Sequence, residues 1–150
     1  MESSHLIHDK IRLFRENHRV LRAGGTLVLC DLFLKRELSV VDIYNLREDL
    51  ALLEGSFGKA KMETMSKYKE LLGLAGFVEI ETRDISAQAQ PTLSVWKKNV
   101  DVHLAHIQNY LSQAAIDNFM ASCDILEDFF EQGLMGYGMI RATRPGLTEQ

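Results

Sequence analysis

Cysteine is scarce in this chain: two residues in 150, Cys30 and Cys123, with no CxxC spacing. A disulfide-rich scaffold is thereby excluded, and the apolar neighbours of both residues predict buried, reduced thiols and a cytoplasmic setting. Long apolar runs are missing too, since none approaches the roughly 18 residues that a membrane span needs. The N-terminus lacks the basic-then-apolar pattern of a secretory signal. Charge of one sign is not in excess: a formal net charge of -4 argues against nucleic acid as a general partner. Internal repeats and low-complexity linkers are absent, so one domain is the simplest division. What is there is the ordinary mix of a soluble globular protein, 46% hydrophobic and 25% charged, long enough to bury a single core.

The pattern of apolar residues predicts alternating helices and strands. Ser3 or Ser4 can cap a first helix reaching about Leu21, with Ile7, Ile11, Phe14 and Leu21 at helical spacing and Ala23-Gly24-Gly25 ending it. Thr26 to Cys30 is almost wholly apolar, as in a strand buried on both faces. Ser39 and Asp42 have the spacing of a cap for a second helix, broken by Gly55 to Gly58. A third helix starts near Thr64 and stops at Gly76, and Phe77 to Ile85 alternates like a strand. Helical spacing returns from Leu93 to Leu111 and again from Ile116 to Phe130, before a glycine-rich strand from Met135 to Ile140 that is halted by Pro145. Strands separated by helices predict an α/β fold.

Three stretches in that order resemble the closing half of class I methyltransferases that use S-adenosylmethionine (SAM). Val20 to Asp31 (VLRAGGTLVLCD) is similar to the family's "LRPGG" turn and fifth strand, with Ala23 in place of the proline. Tyr68 to Phe77 (YKELLGLAGF) is similar to the "LLxxAGF" helix before the sixth strand, and Gly136 to Pro145 (GYGMIRATRP) to the last strand. Asp84 to Leu93 (DISAQAQPTL) resembles a segment of the sugar O-methyltransferases of antibiotic biosynthesis, those of the rebeccamycin type, whose relatives methylate glycine derivatives and tocopherol precursors. Glu2-Ser3-Ser4-His5 looks like the stretch that follows the family's fourth strand.

The family's cofactor loop, E/DxGxGxG after a first strand, has no counterpart here, nor has the acidic residue that ends the second strand and bonds the ribose. The resemblance therefore implies the substrate-side part of a methyltransferase domain over residues 1–150, with the SAM-binding N-terminal half absent. The implied fold is a partial Rossmann-like sheet made of the family's fifth, seventh and sixth strands, the last strand antiparallel between the other two, with flanking helices. Its strand at 26–31 would lack a neighbour, and a second copy or the missing half is expected to cover that edge.

His5 and Asp31 are the candidates for acid–base work. A hydroxyl is a poor nucleophile until its proton is drawn off, and histidine exchanges protons near neutral pH. By resemblance, a histidine after the fourth strand and an aspartate ending the fifth share this role, with Leu6 an equal occupant of the histidine's place. Against it stands the plainer reading that His5 lies on the first helix and Asp31 begins a solvated loop. Tyr44, Trp96, Met120 and Phe129 are the candidates for lining an acceptor pocket, because the family's helices at these points form a lid over the substrate; a stripe of this kind is otherwise core. His5 and His8, like His103 and His106, stand three apart but lack matching cysteine or carboxylate, so no metal is expected. Arg12, Arg15, Arg19 and Arg22 read as a solvated basic face of the first helix.

The expectation is the substrate-facing half of a SAM-dependent methyltransferase for a small, hydroxyl-bearing acceptor, inactive alone and with no cofactor of its own. The alternative is a non-catalytic binding or dimerisation module derived from such an enzyme, which contacts a partner through the helices from Leu93 to Phe130. A separately encoded N-terminal half is a third arrangement. Membrane and nucleic-acid partners are not expected.

Overall fold

The computed structural model describes residues 3–146, and Glu2 of the resemblance lies outside them. A single 3-10 turn, Ser4–Leu6, leads into helix α1, Lys10–Val20, and strand β1, Thr26–Leu34. Helices α2 (Val40–Asn45), α3 (Arg47–Phe57) and α4 (Met65–Leu74) precede strand β2, Val78–Asp84. The short α5 (Ser86–Ala89) and the long α6 (Pro91–Ile107) and α7 (Gln113–Glu131) lead to strand β3, Met135–Thr143. This is the expected α/β fold, with a small antiparallel sheet in the order β1-β3-β2.

The chain folds as two compact units. The first takes the residues up to Glu37, Ala60–Ile85 and the stretch from Gly136; the second is Leu38–Lys59 with Ser86–Met135. In the first unit Phe14 of α1, Leu29 and Phe33 of β1, Tyr68 and Leu72 of α4, Phe77, and Ile140 and Ala142 of β3 form one buried core. Burying such side chains is worth about 1.5–3 kcal/mol each. Gly138 permits the closeness of that packing, since a Cβ there would meet Met65 at 2.7 Å and Phe33 at 3.1 Å. In the second unit α7 packs against both α3 and α6. Lys97 of α6 lies 2.7 Å from Asp124 and 2.5 Å from Glu127 of α7.

Several boundaries differ from expectation for identifiable reasons. The first helix starts at Lys10, capped by Asp9, whose side chain accepts from the Arg12 N–H; the Ser4 hydroxyl is committed elsewhere. Strand β1 does not stop at Cys30. Leu29, Asp31 and Phe33 are buried in alternation, so the aspartate expected to end the strand is an inward-facing residue within it. The helix expected after Ser39 is two helices meeting at Leu46, although its capping box is present in full. In β2, Val78 pairs with Thr143 but Glu81 with Arg141, so one extra residue is inserted, and Glu79 takes φ 49°. That bulge breaks the alternation read from Val78 and Ile80, and Val78 is exposed. Among the described residues no helix is long and apolar enough to cross a membrane.

Candidate functional site

The turn Ser4–Leu6 lies against β1, and from it two consecutive residues reach the same carboxylate. Asp31 Oδ1 lies 2.5 Å from His5 Nδ1 and accepts from its neighbour's Leu32 N–H at 2.9 Å. Asp31 Oδ2 accepts from the His5 backbone N–H at 3.0 Å and from the Ser4 hydroxyl. An ionised carboxylate offers about four lone-pair sites, and here the protein itself fills them. Tyr68 of α4 extends the network, its hydroxyl 3.1 Å from Ser4 Oγ.

Burial alone would push the Asp31 carboxyl up, but the hydrogen bonds from His5 and Ser4 outweigh it, and its pKa lies below the usual 3.8. Burial likewise raises the Tyr68 phenol to about 12, against a smaller opposing pull from its bond with Ser4. Asp31 is thus ionised and Tyr68 neutral across the physiological range. With Asp31 an acceptor only, the His5 proton belongs on Nδ1. Its side chain is 18% exposed, and no described residue hydrogen-bonds to Nε2. A ring so held presents an unprotonated nitrogen that can take a proton, the chemistry of a general base oriented by a carboxylate.

The turn is fixed from outside as well. Lys61 N–H donates to the His5 carbonyl at 2.7 Å. Lys10, only 3% exposed, sends its ammonium to the Ile7 carbonyl at 2.5 Å and the Lys61 carbonyl at 2.6 Å. Burial lowers the pKa of this lysine despite the opposing charge of Glu63.

Of the residues singled out from sequence, the structure brings His5 and Asp31 together. Tyr44, Trp96, Met120 and Phe129 all belong to the second unit. Tyr44 is exposed on α2, with the Arg47 guanidinium 4.7 Å from its ring centre. Trp96 forms an aromatic cluster with Phe57 and Phe119, at 6.5 and 6.2 Å between ring centres, and keeps 40% of its surface exposed. Met120 is half-buried and Phe129 buried on α7. Ser4 and Tyr68 were missed as site residues. Tyr68 reads as one of the apolar positions of α4 and Ser4 as a helix cap, and no local spacing links them across 64 residues.

Among the described residues no three histidine, cysteine, aspartate or glutamate side chains are grouped to hold a metal. The closely packed glycine of the sheet, Gly138, faces Met65 and Phe33, and the Cβ site of Gly25 is closed by the Arg22 carbonyl at 2.7 Å, so neither offers backbone to a cofactor. A surface cleft of about 340 Å³ at the start of α4 shares no residue with the His5–Asp31 network. Of its lysines, Lys35 is paired with Asp84 and Lys67 with Glu70.

No protein-family model matches the chain. Solved structures do. Phosphoethanolamine N-methyltransferase 2 of Haemonchus contortus, in complex with S-adenosyl-L-methionine, superposes with a TM-score of 0.75 at 15% identity, over 94% of this chain and 31% of that one. A sarcosine dimethylglycine methyltransferase of Galdieria sulphuraria gives 0.76 at 15% identity, over 96% and 51%. Mycolic acid cyclopropane synthase CmaA1, complexed with S-adenosylhomocysteine, gives 0.84 at 14% identity, over 96% and 53%. The chain has the fold of the matching part of class I SAM-dependent methyltransferases and spans about a third to a half of these relatives' length.

Proposed function

We propose that this chain is the acceptor-facing part of a SAM-dependent methyltransferase for a small hydroxyl-bearing molecule, and that His5, oriented by Asp31, removes the acceptor's proton. One observation carries the assignment: a histidine ring held through Nδ1 by a buried, fully bonded carboxylate, with Nε2 left unbonded among the described residues. Asp31 has no lone-pair site to spare for an acceptor, so it orients His5 and does not itself act as the base. General-base assistance of this kind contributes about 10²–10⁴-fold in rate. The DISAQAQPTL stretch favours the sugar O-methyltransferase branch.

SAM itself is assigned to a complementing half. That half, or a second copy of this chain, is proposed to lie along β1, an edge strand of the described sheet. The test is a fusion of this chain to the SAM-binding half of a class I methyltransferase, assayed for transfer of labelled methyl groups to hydroxyl acceptors. The chain alone is expected to show neither SAM binding in calorimetry nor transfer. In an active fusion His5→Ala should lose about 10²-fold or more of the rate; an unchanged rate would remove His5 from the mechanism.

A second reading, a non-catalytic docking module, is favoured by helix α2, which buries no residue and exposes Val40, Val41 and Tyr44. Light scattering that shows a concentration-dependent dimer, together with fusions that bind SAM but never transfer methyl, would decide for it.

A further inference from the structure

We infer that Tyr68 and Ser4 are positioning residues for His5. A one-way hydrogen-bond chain from Tyr68 to Ser4 to Asp31 holds the carboxylate in the one orientation that keeps the His5 proton on Nδ1 and the lone pair on Nε2. This deepens the reading of His5 as the base, but it is measurable on the protein without any acceptor.

The direction of the chain follows from its ends. Asp31 is ionised and only accepts, so the single Ser4 proton goes to Asp31 Oδ2. Ser4 Oγ is then the acceptor for the Tyr68 hydroxyl at 3.1 Å. Tyr68 stays a donor because burial keeps its phenol protonated to about pH 12. Ser4 is 0%, Tyr68 1% and Asp31 4% exposed, so the chain is closed to bulk solvent.

Packing does not explain the two hydroxyls. Edge-on contact of Tyr68 with Phe14, at 6.0 Å between ring centres, needs the ring alone. Burying a phenol oxygen is unfavourable unless its hydrogen bond is made, and the bond it makes ends on the carboxylate that grips His5. Without the Ser4 donor, Oδ2 keeps one partner, the His5 N–H, and the carboxylate loses one of the four bonds that fix its orientation. Without the Tyr68 hydroxyl, the Ser4 hydroxyl loses the anchor that sets its own rotation. In either case the ring is held less firmly in the Nδ1–H tautomer.

The experiment is long-range ¹H–¹⁵N NMR of the full chain labelled at histidine, at a pH where the imidazole is neutral. The wild type should show His5 as a single Nδ1–H tautomer with that proton slow to exchange. Tyr68→Phe should raise the Nε2–H form severalfold and broaden the Nδ1 proton, and Ser4→Ala should do so more strongly. Leu72→Ala, which loosens the same buried core without touching a hydroxyl, should leave the His5 pattern as in the wild type. The inference is overturned if wild-type His5 is not the Nδ1–H tautomer, if Tyr68→Phe keeps the wild-type pattern, or if Leu72→Ala disturbs it equally. Should Ser4→Ala not fold, Tyr68→Phe decides. The expected NMR response together with an active fusion indifferent to His5→Ala would sink the catalytic reading and leave this one standing.

Discussion

His5 and Asp31 stand 26 residues apart, and Asp31 holds His5 twice: one carboxylate oxygen meets the ring nitrogen and the other the backbone N–H of the same residue. The double grip fixes both where the histidine sits and which way its ring faces, so a change at Asp31 should register in stability as well as chemistry. Asp31→Asn places an amide NH₂ where a carboxylate accepts only donors. We expect a loss of about 2 kcal/mol in urea unfolding, the range for hydrogen bonds to a buried charge.

The same carboxylate sets an acid limit. Its folded pKa lies below 3.8, so its contribution is fully present above that value and is lost as the pH falls through the folded pKa. Circular dichroism should show wild-type stability declining below about pH 4 more steeply than that of Asp31→Asn, whose baseline is lower but flatter.

Tyr68 sets an alkaline limit of opposite sense. Its neutral form is favoured by the fold, so its contribution is complete below pH 10 and lost as the pH rises towards about 12. Ultraviolet titration of tyrosinate should show one of the four tyrosines ionising late, together with unfolding, and Tyr68→Phe should abolish that late step.

Much of the fold was legible because its signals are local. The caps Thr64 and Ser39, the latter with Asp42, announce α4 and α2 within three residues of the helix start, and each cap is made as read. Gly76, at φ 96°, stops α4 where expected. The site was half legible. Asp31 reads as the end of a strand because a carboxylate is costly to bury; only the donors arriving from Ser4 and His5 make it affordable inside β1. Those partners come from a turn 26 and 27 residues away, a separation no periodicity reports. The bulge at Glu79 was equally silent, since nothing in a non-glycine residue advertises φ 49°.

Helix α2 offers a test of how much a cap alone sustains. It buries none of its residues, so Ser39→Ala should cost about 1 kcal/mol locally. Hydrogen exchange of the Val40–Asn45 amides should quicken several-fold while the global unfolding midpoint scarcely moves.

Gly138→Ala probes the tight seat beneath the sheet. Met65 can swing away from the new Cβ, but Phe33 is only 5% exposed and has little room. A loss of about 1 kcal/mol is expected, at the low end for overpacking. It should be smaller in a Met65→Ala background, as a double-mutant cycle would measure.

The strand placed between β1 and β2 is the last of the three to be synthesised. Neither outer strand has its partner in this sheet until the chain has been made through Thr143. Until then a growing chain carries the apolar face of β1, and the site built upon it, without β3 beside it. Such late closure favours slow maturation and a need for chaperones that shield nascent strands.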